Sequence, residues 1–237
     1  MLKVVSYVIC PFVQRITGLL EAKGIPYDIE YISLKDKPKW FLDIAPNAQV
    51  PLLITEDNIP LSESDAIAEY LDDEYLLLRP EINKSACRAR QRAWVYQGTK
   101  LYLKQCSHMQ SGNQQIFEER QEFMRKQFAK VENFLNGHTK TQYFCSDILG
   151  NIDMAWLPLF HRAALVQKYS GTKLFEGFPL LQIWADNIMA TGIAEKTVHD
   201  SFEESFVNFY LSDKTYLGIG STAQDSGCGD LSSSCCD

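Results

Sequence analysis

No stretch of the 237-residue chain approaches the apolar run of about eighteen residues that a membrane helix requires. The amino terminus, MLKVVSY, also lacks the long apolar core and small-residue cleavage site of a secretory signal. These two absences lead us to expect a cytoplasmic protein with no membrane partner. Basic blocks are missing too. Against 30 Asp and Glu stand 23 Lys and Arg, a formal net charge of −7, which argues against nucleic acid or an anionic membrane surface as the main partner. One lysine can still make a local positive site for a small anion. His108, His138, His161 and His199 are scattered and hold no metal-ligand spacing with the cysteines, so no metal site is expected. The seven cysteines, Cys10, Cys87, Cys106, Cys145, Cys228, Cys235 and Cys236, are odd in number and irregular in spacing. That suits reduced thiols better than a disulfide framework. Nor does Cys10 begin a Cys-x-x-Cys, because the residue three beyond it is Val13.

What is present falls into two unlike halves. LKVVSYVI (2–9) is short and β-rich, and reads as a buried strand. From Phe12 the apolar positions become Phe12, Ile16, Leu19 and Leu20, one face of a helix stopping at Gly24. YDIEYISL (27–34) alternates again and implies a second strand, parallel to the first through a right-handed crossover. KPKWFLDIAP suggests a short helical turn, VPLLITEDNIPLS two short strands about a turn at residues 56–58, and SESDAIAEYLDDEY a helix starting near Ser62 or Ser64. Residues 1–76 thus read β-α-β-α-β-β-α. After LLLRPEINK the strand signal stops. Residues 83–136, broken near 111–114, and 151–170, 178–190 and 193–209 are helical in period, which predicts an all-α domain over 83–211 and a boundary near Arg79-Pro80. Residues 212–237 are Ser/Gly/Cys-rich and aperiodic, and are expected to be a disordered tail.

Chemistry concentrates in the first half. Proline is favoured at the first position of a helix, where its missing N–H costs nothing, so Pro11 sets Cys10 at a helix N-terminus. Unpaired N–H groups and the helix dipole there favour the thiolate, the nucleophilic form of cysteine. The bland alternative is a buried, inert thiol after a strand. QVPLL puts Pro51 at a strand start, where a cis bond would turn the Val50 N–H and C=O outward to pair with an extended peptide. ESDA supplies a second helix N-terminus, with Ser64 suited to a carboxylate and Glu63 to an ammonium, and Lys37 can meet another carboxylate. Together these describe a site for a small extended peptide with anionic ends, one amine and a thiol facing Cys10.

In this order and spacing, CPFVQR (10–15), KGIPYDIEYISLKDKPKWF (23–41), QVPLL (49–53) and SESDAIAEYLDDEY (62–75) resemble the glutathione transferase superfamily, most closely its omega class and the bacterial omega-like members. A looser likeness continues through NIDMAWLPLFHR (151–162) and FPLLQIWADNI (178–188). The resemblance implies a thioredoxin-like domain followed by an all-helical one, a homodimer, and glutathione as co-substrate with no metal. It also implies roles residue by residue. Cys10 forms the mixed disulfide with glutathione, Phe12 lines the pocket floor, and Lys37 meets the glycyl carboxylate. Val50, before Pro51, pairs with the cysteinyl unit, and Glu63 and Ser64 hold the γ-glutamyl end. One departure stands out. The family's central α-domain helix usually opens with Ser or Thr three residues before an aspartate, and here Gly150 precedes Asp153.

The function expected from these readings is a glutathione-dependent thioltransferase acting on small thiols, disulfides or dehydroascorbate through Cys10. The rivals are a conjugating transferase for electrophiles and a non-catalytic protein-binding module of the same fold. Trp94, Tyr96, Tyr102 and Trp156 are candidates for the wall of the second-substrate pocket, although aromatics at helical spacing more often fill a core.

Overall fold

The computed structural model describes residues 1–75, 85–138, 141–144 and 146–219. The expected boundary near Arg79-Pro80, the residues Cys145, Cys228, Cys235 and Cys236, and the tail from residue 220 lie outside the described residues.

The first half follows the expected element order: β1 (Leu2–Ser6), α1 (Pro11–Lys23), β2 (Tyr27–Tyr31), α2 (Lys39–Ile44), β3 (Leu52–Ile54), β4 (Pro60–Ser62) and α3 (Ser64–Glu74). The sheet order is β2-β1-β3-β4, with β1 parallel to β2 and antiparallel to β3, and β3 antiparallel to β4. Alternation along β1 sends Leu2 and Val4 into the main core and Val5 to the other face of the sheet. There Val5 meets Ile32, Phe41, Ala45 and Leu52 beneath α2. Strands β1 and β2 are shorter than the sequence suggested, because β1 gives way after Ser6 to the corner that launches α1.

The second half is helical among the described residues: α4 (Ser85–Met109), α5 (Gln114–Asn136), α6 (Asn151–Ser170), α7 (Pro179–Met189), α8 (Ile193–Lys196) and α9 (Phe202–Tyr210). The break near 111–114 is a helix start in its own right: the Asn113 side chain accepts from the Ile116 N–H at 3.0 Å and caps α5. The single helix expected over 193–209 divides into α8 and α9, because Thr197 turns its hydroxyl back onto the Ala194 carbonyl at 2.7 Å and ends α8. The start of α6 keeps half of the expected cap. Gly150 lacks a side chain, but its N–H donates to Asp153 Oδ2 at 2.8 Å, and Asp153 Oδ1 also accepts from the Phe144 N–H and from Trp184 Nε1.

Helix α6 is the post around which the two halves pack, and two glycines set how closely. A Cβ on Gly18 of α1 would sit 2.9 Å from Leu157, and one on Gly98 of α4 would sit 2.8 Å from Trp156 Nε1. Their absence lets α1 and α4 lie directly against α6. One continuous apolar cluster therefore runs from Leu2 and Ile16 through Trp156 and Phe160 to Trp184 and Phe206.

Residues 212–219 correct the expected tail. Leu217 and Thr215 are buried, the Tyr216 N–H donates to the Ser111 carbonyl at 2.7 Å, and its ring lies 5.0 Å from that of Phe117. Averaged over the Ser- and Gly-rich stretch, composition hid Tyr216, which anchors it to the turn between α4 and α5.

Candidate functional site

Cys10 ends the corner between β1 and α1. Its N–H donates to the Tyr7 carbonyl at 3.0 Å, and its own carbonyl accepts from the Gln14 N–H at 3.2 Å, the first bond of α1. Pro11 follows at the first helical position. The residue is 6% exposed, so its thiol sits at a dry helix N-terminus rather than on the surface. Cys10, Cys87 and Cys106 form no disulfide.

Two residues on, Phe12 lines a cleft whose other walls are Asn47, Gln49, Val50 and Pro51 on one side and Ser62 to Asp65 on the other. The cleft thus gathers four of the sequence candidates besides Phe12: Val50, Pro51, Glu63 and Ser64. The Val50–Pro51 bond is cis. Two non-glycine residues here have positive φ, Glu63 of the lining at 67° and Ala48, between the lining residues Asn47 and Gln49, at 50°. Such conformations cost about 1–3 kcal/mol each and persist where surrounding structure holds them, commonly at ligand sites. Glu63 rather than Ser62 or Ser64 caps α3, and Ser64 is its first helical residue. The Glu63 carboxylate accepts from Asn47 Nδ2 at 3.0 Å, which ties the two walls together.

Beneath Ser64 lies Arg15, which is 1% exposed. Its Nη1 donates to Ser64 Oγ at 3.4 Å and pairs with the Asp65 carboxylate, joining α1 to the start of α3. Lys37 is half-buried in the loop before α2 and is not part of this lining.

The four aromatic candidates do not form a pocket wall. Trp156 is wholly buried and donates its indole N–H to the Trp94 carbonyl at 3.2 Å, while Trp94 packs on Phe134 and Phe144 at 4.7 and 5.4 Å. Tyr96 is exposed on α4. Tyr102 is buried and donates to the Ala155 carbonyl, and its ring meets Phe12 edge-on at 5.0 Å, supporting the cleft floor from below. For Trp94, Tyr102 and Trp156 the helical spacing marked the core of the α domain, the outcome that burial of large rings favours, whereas Tyr96 faces outward.

Burial raises the Tyr102 hydroxyl above its ordinary range. The guanidiniums of Arg15 and Arg162 oppose that rise, while Asp65 and Cys10 add to it, so all four groups act on one buried spot. Arg162 belongs to a buried polar group absent from the sequence reading. Its Nη1 donates to Gln14 Oε1 at 2.6 Å and to the Pro158 carbonyl at 3.1 Å, and its Nη2 donates to the Ile9 carbonyl at 2.9 Å. Gln14 Nε2 in turn meets His161 Nδ1 at 2.7 Å and Thr197 Oγ1 at 3.2 Å. Arginine and glutamine on helices ordinarily read as solvated, so only the tertiary contact reveals them. Among the described residues, no group of three or more His, Cys, Asp or Glu side chains could hold a metal, and no helix is long and apolar enough to cross a membrane.

Residues 9–74 match the family model for the glutathione S-transferase N-terminal domain. A Sus scrofa protein, glutathione S-transferase omega-1, is 30% identical over 192 residues, covering 80% of this chain and 77% of that one. The chain belongs to the glutathione transferase superfamily, close to its omega class.

Other relatives agree on parts of this enzyme. Arabidopsis thaliana glutathione S-transferase DHAR2 is 42% identical over 66 residues, 28% of this chain and 30% of that one. The fold matches rice GST1, solved in complex with glutathione, with a TM-score of 0.74 at 22% identity, over 92% of this chain and 95% of that one. In this glutathione transferase Cys10 stands at the start of α1, two residues before Phe12 of the cleft lining, and is not itself part of that lining.

Proposed function

We propose that this glutathione transferase is a cysteine-type thioltransferase that uses glutathione as its reductant. The observation that carries the reading is the placement of Cys10 at the N-terminus of α1, with Phe12 lining a cleft shared by Val50, Pro51, Glu63 and Ser64. In the first step the Cys10 thiolate attacks the glutathione sulfur of a mixed disulfide. The Cys10–glutathione disulfide forms and the substrate leaves as its thiolate, which takes up a proton. In the second step a glutathione thiolate attacks that disulfide, releasing oxidised glutathione and restoring the Cys10 thiolate. No second cysteine stands in the motif to resolve the intermediate, so external glutathione does so. Dehydroascorbate is a fitting oxidised substrate, two glutathiones supplying its two electrons.

In the bound peptide, the α3 N-terminus and Ser64 take the γ-glutamyl carboxylate, Glu63 its ammonium, and the Val50 backbone the cysteinyl unit. Lys37 reaches the glycyl carboxylate from the adjoining loop. A cytoplasmic homodimer completes the reading, and sedimentation of the purified protein checks the dimer.

Whole-protein mass spectrometry after mixing with oxidised glutathione tests the chemistry. The chain is expected to gain one glutathione, and Cys10→Ala to gain none. A Cys10→Ser protein with full thioltransferase turnover, or turnover of aryl halides exceeding disulfide exchange, would overturn it.

A further inference from the structure

Arg162 reaches out of α6, in the helical half, and places its guanidinium across the corner that carries Cys10. It bonds the Ile9 carbonyl, one residue before the cysteine, at 2.9 Å, and the Gln14 side chain, one helical turn after it, at 2.6 Å. Both partners are neutral, as is the Pro158 carbonyl that takes the third bond. The side chain is fully buried, and among the described residues no carboxylate lies within ion-pairing distance of it. Its Nε has no partner.

This differs from the treatment of the neighbouring buried arginine. Arg15 is compensated by Asp65. A buried cation left with only neutral acceptors costs free energy that the fold must offset elsewhere, unless a negative charge forms close by. The remaining members of the network carry none. Burial, with the charge of Arg162 beside it, pushes the His161 imidazole down to about 3, so that ring is neutral at physiological pH. Gln14 and Thr197 do not ionise.

We propose that Arg162 is a positioning residue for the Cys10 thiolate: it holds the Ile9 backbone before the cysteine and the Gln14 side chain after it, and supplies a buried positive charge that the thiolate answers. The inference deepens the thioltransferase reading and rests on it for its meaning in catalysis. Two effects combine. The clamp fixes the first turn of α1, so its N–H groups stay aimed at the sulfur. The charge acts through a dry, low-dielectric interior, where one unit several ångströms away changes an ionisation equilibrium by about tenfold or more. Glutathione itself is gripped by other elements, the Val50 and Ser64 walls, so the clamp should govern the reactivity of the sulfur rather than the affinity of the cleft.

The test reads Cys10 directly, by the rate of its alkylation with iodoacetamide at neutral pH, located by peptide mass mapping. That rate is defined whether or not Cys10 carries turnover, so it stands apart from the Cys10→Ala adduct experiment above. Arg162→Gln keeps an amide donor for the Ile9 carbonyl and loses the charge. It is expected to slow alkylation by about tenfold, with kcat for thiol exchange falling in step and KM for glutathione within about twofold of wild type. Arg162→Lys restores a cation and should recover the rate to within about threefold. Leu181→Ala, a core truncation in α7 remote from the corner, is the stability control and should leave the alkylation rate unchanged. Equal rates for Arg162→Gln and wild type, equal slowing by the Gln and Lys variants, or equal slowing by Leu181→Ala would each overturn the proposal. If the neutral variant does not fold, the wild-type protein can still overturn the proposal: without thiolate ultraviolet absorbance near neutral pH that is lost in Cys10→Ala, there is no negative charge for Arg162 to hold.

Discussion

Acidification should expose the buried network through His161. In the folded protein this imidazole is 6% exposed and bonded to Gln14, and burial lowers it from 6.5 to about 3, with Arg162 adding to the effect. Unfolded, it takes up a proton as pH falls through 6.5, while the folded form stays neutral until about 3. The unfolded state thus binds more protons across that window, and stability declines as pH drops. Between pH 7 and pH 5 this amounts to about 2 kcal/mol, from about 1.4 kcal/mol per unit once the pH lies well below 6.5. Asp153 works in the opposite sense. Burial raises its carboxyl from 3.8 to about 6, against the pull of its N–H donors, so the folded state binds the extra proton and gains about 1 kcal/mol over the same interval. The carboxyl offsets only part of the His161 loss, and His108, which burial lowers from 6.5 to about 4, adds a loss of the same sign, so the wild-type protein alone does not isolate His161.

The variant His161→Gln removes one arm. Its side-chain oxygen can still accept from Gln14 Nε2, and every other titrating group is common to both proteins. Whatever the substitution costs at pH 7, the difference in unfolding free energy between variant and wild type should move by about 2 kcal/mol in the variant's favour at pH 5. Urea unfolding at the two pH values, read by tryptophan fluorescence, measures it. A difference that stays constant to within about 0.5 kcal/mol would mean that His161 charges in the folded state, and the account of a neutral, buried imidazole would fail.

Gly98→Ala should cost about 1–3 kcal/mol by overpacking, because the added Cβ falls 2.8 and 2.9 Å from the indole of a wholly buried Trp156 and 3.1 Å from the Ala155 carbonyl. The denaturant midpoint reads the loss, and an unchanged midpoint would refute the close approach of α4 and α6. Asp65→Asn leaves the Arg15 guanidinium buried without its counter-charge. Since Asp65 itself is half exposed, the expected loss is about 1–3 kcal/mol, together with a higher KM for glutathione as Ser64 is unmoored. A variant whose KM matches wild type would separate Arg15 from the peptide site.

The linear order of residues was enough to lay out the first half of this molecule. Period-2 and period-3.6 patterns marked its strands and helices, Pro11 marked the helix start behind Cys10, and Val50, Glu63 and Ser64 could be named as cleft residues from their own local chemistry. These are short-range signals, written within a few residues of where they act. The alternating patterns also separated the mixed half from the helical one. What depended on distance in the chain stayed hidden. Trp94 and Trp156 bear the same helical spacing whether they face a cleft or a core, and only the approach of α4 to α6 turned them inward. Arg15 reads as a surface charge until Asp65, fifty positions later, meets it, and Arg162 until the fold brings it to Ile9 from 153 positions away. A local pattern states a preference of the backbone; the burial of a charge is a property of everything that closes around it.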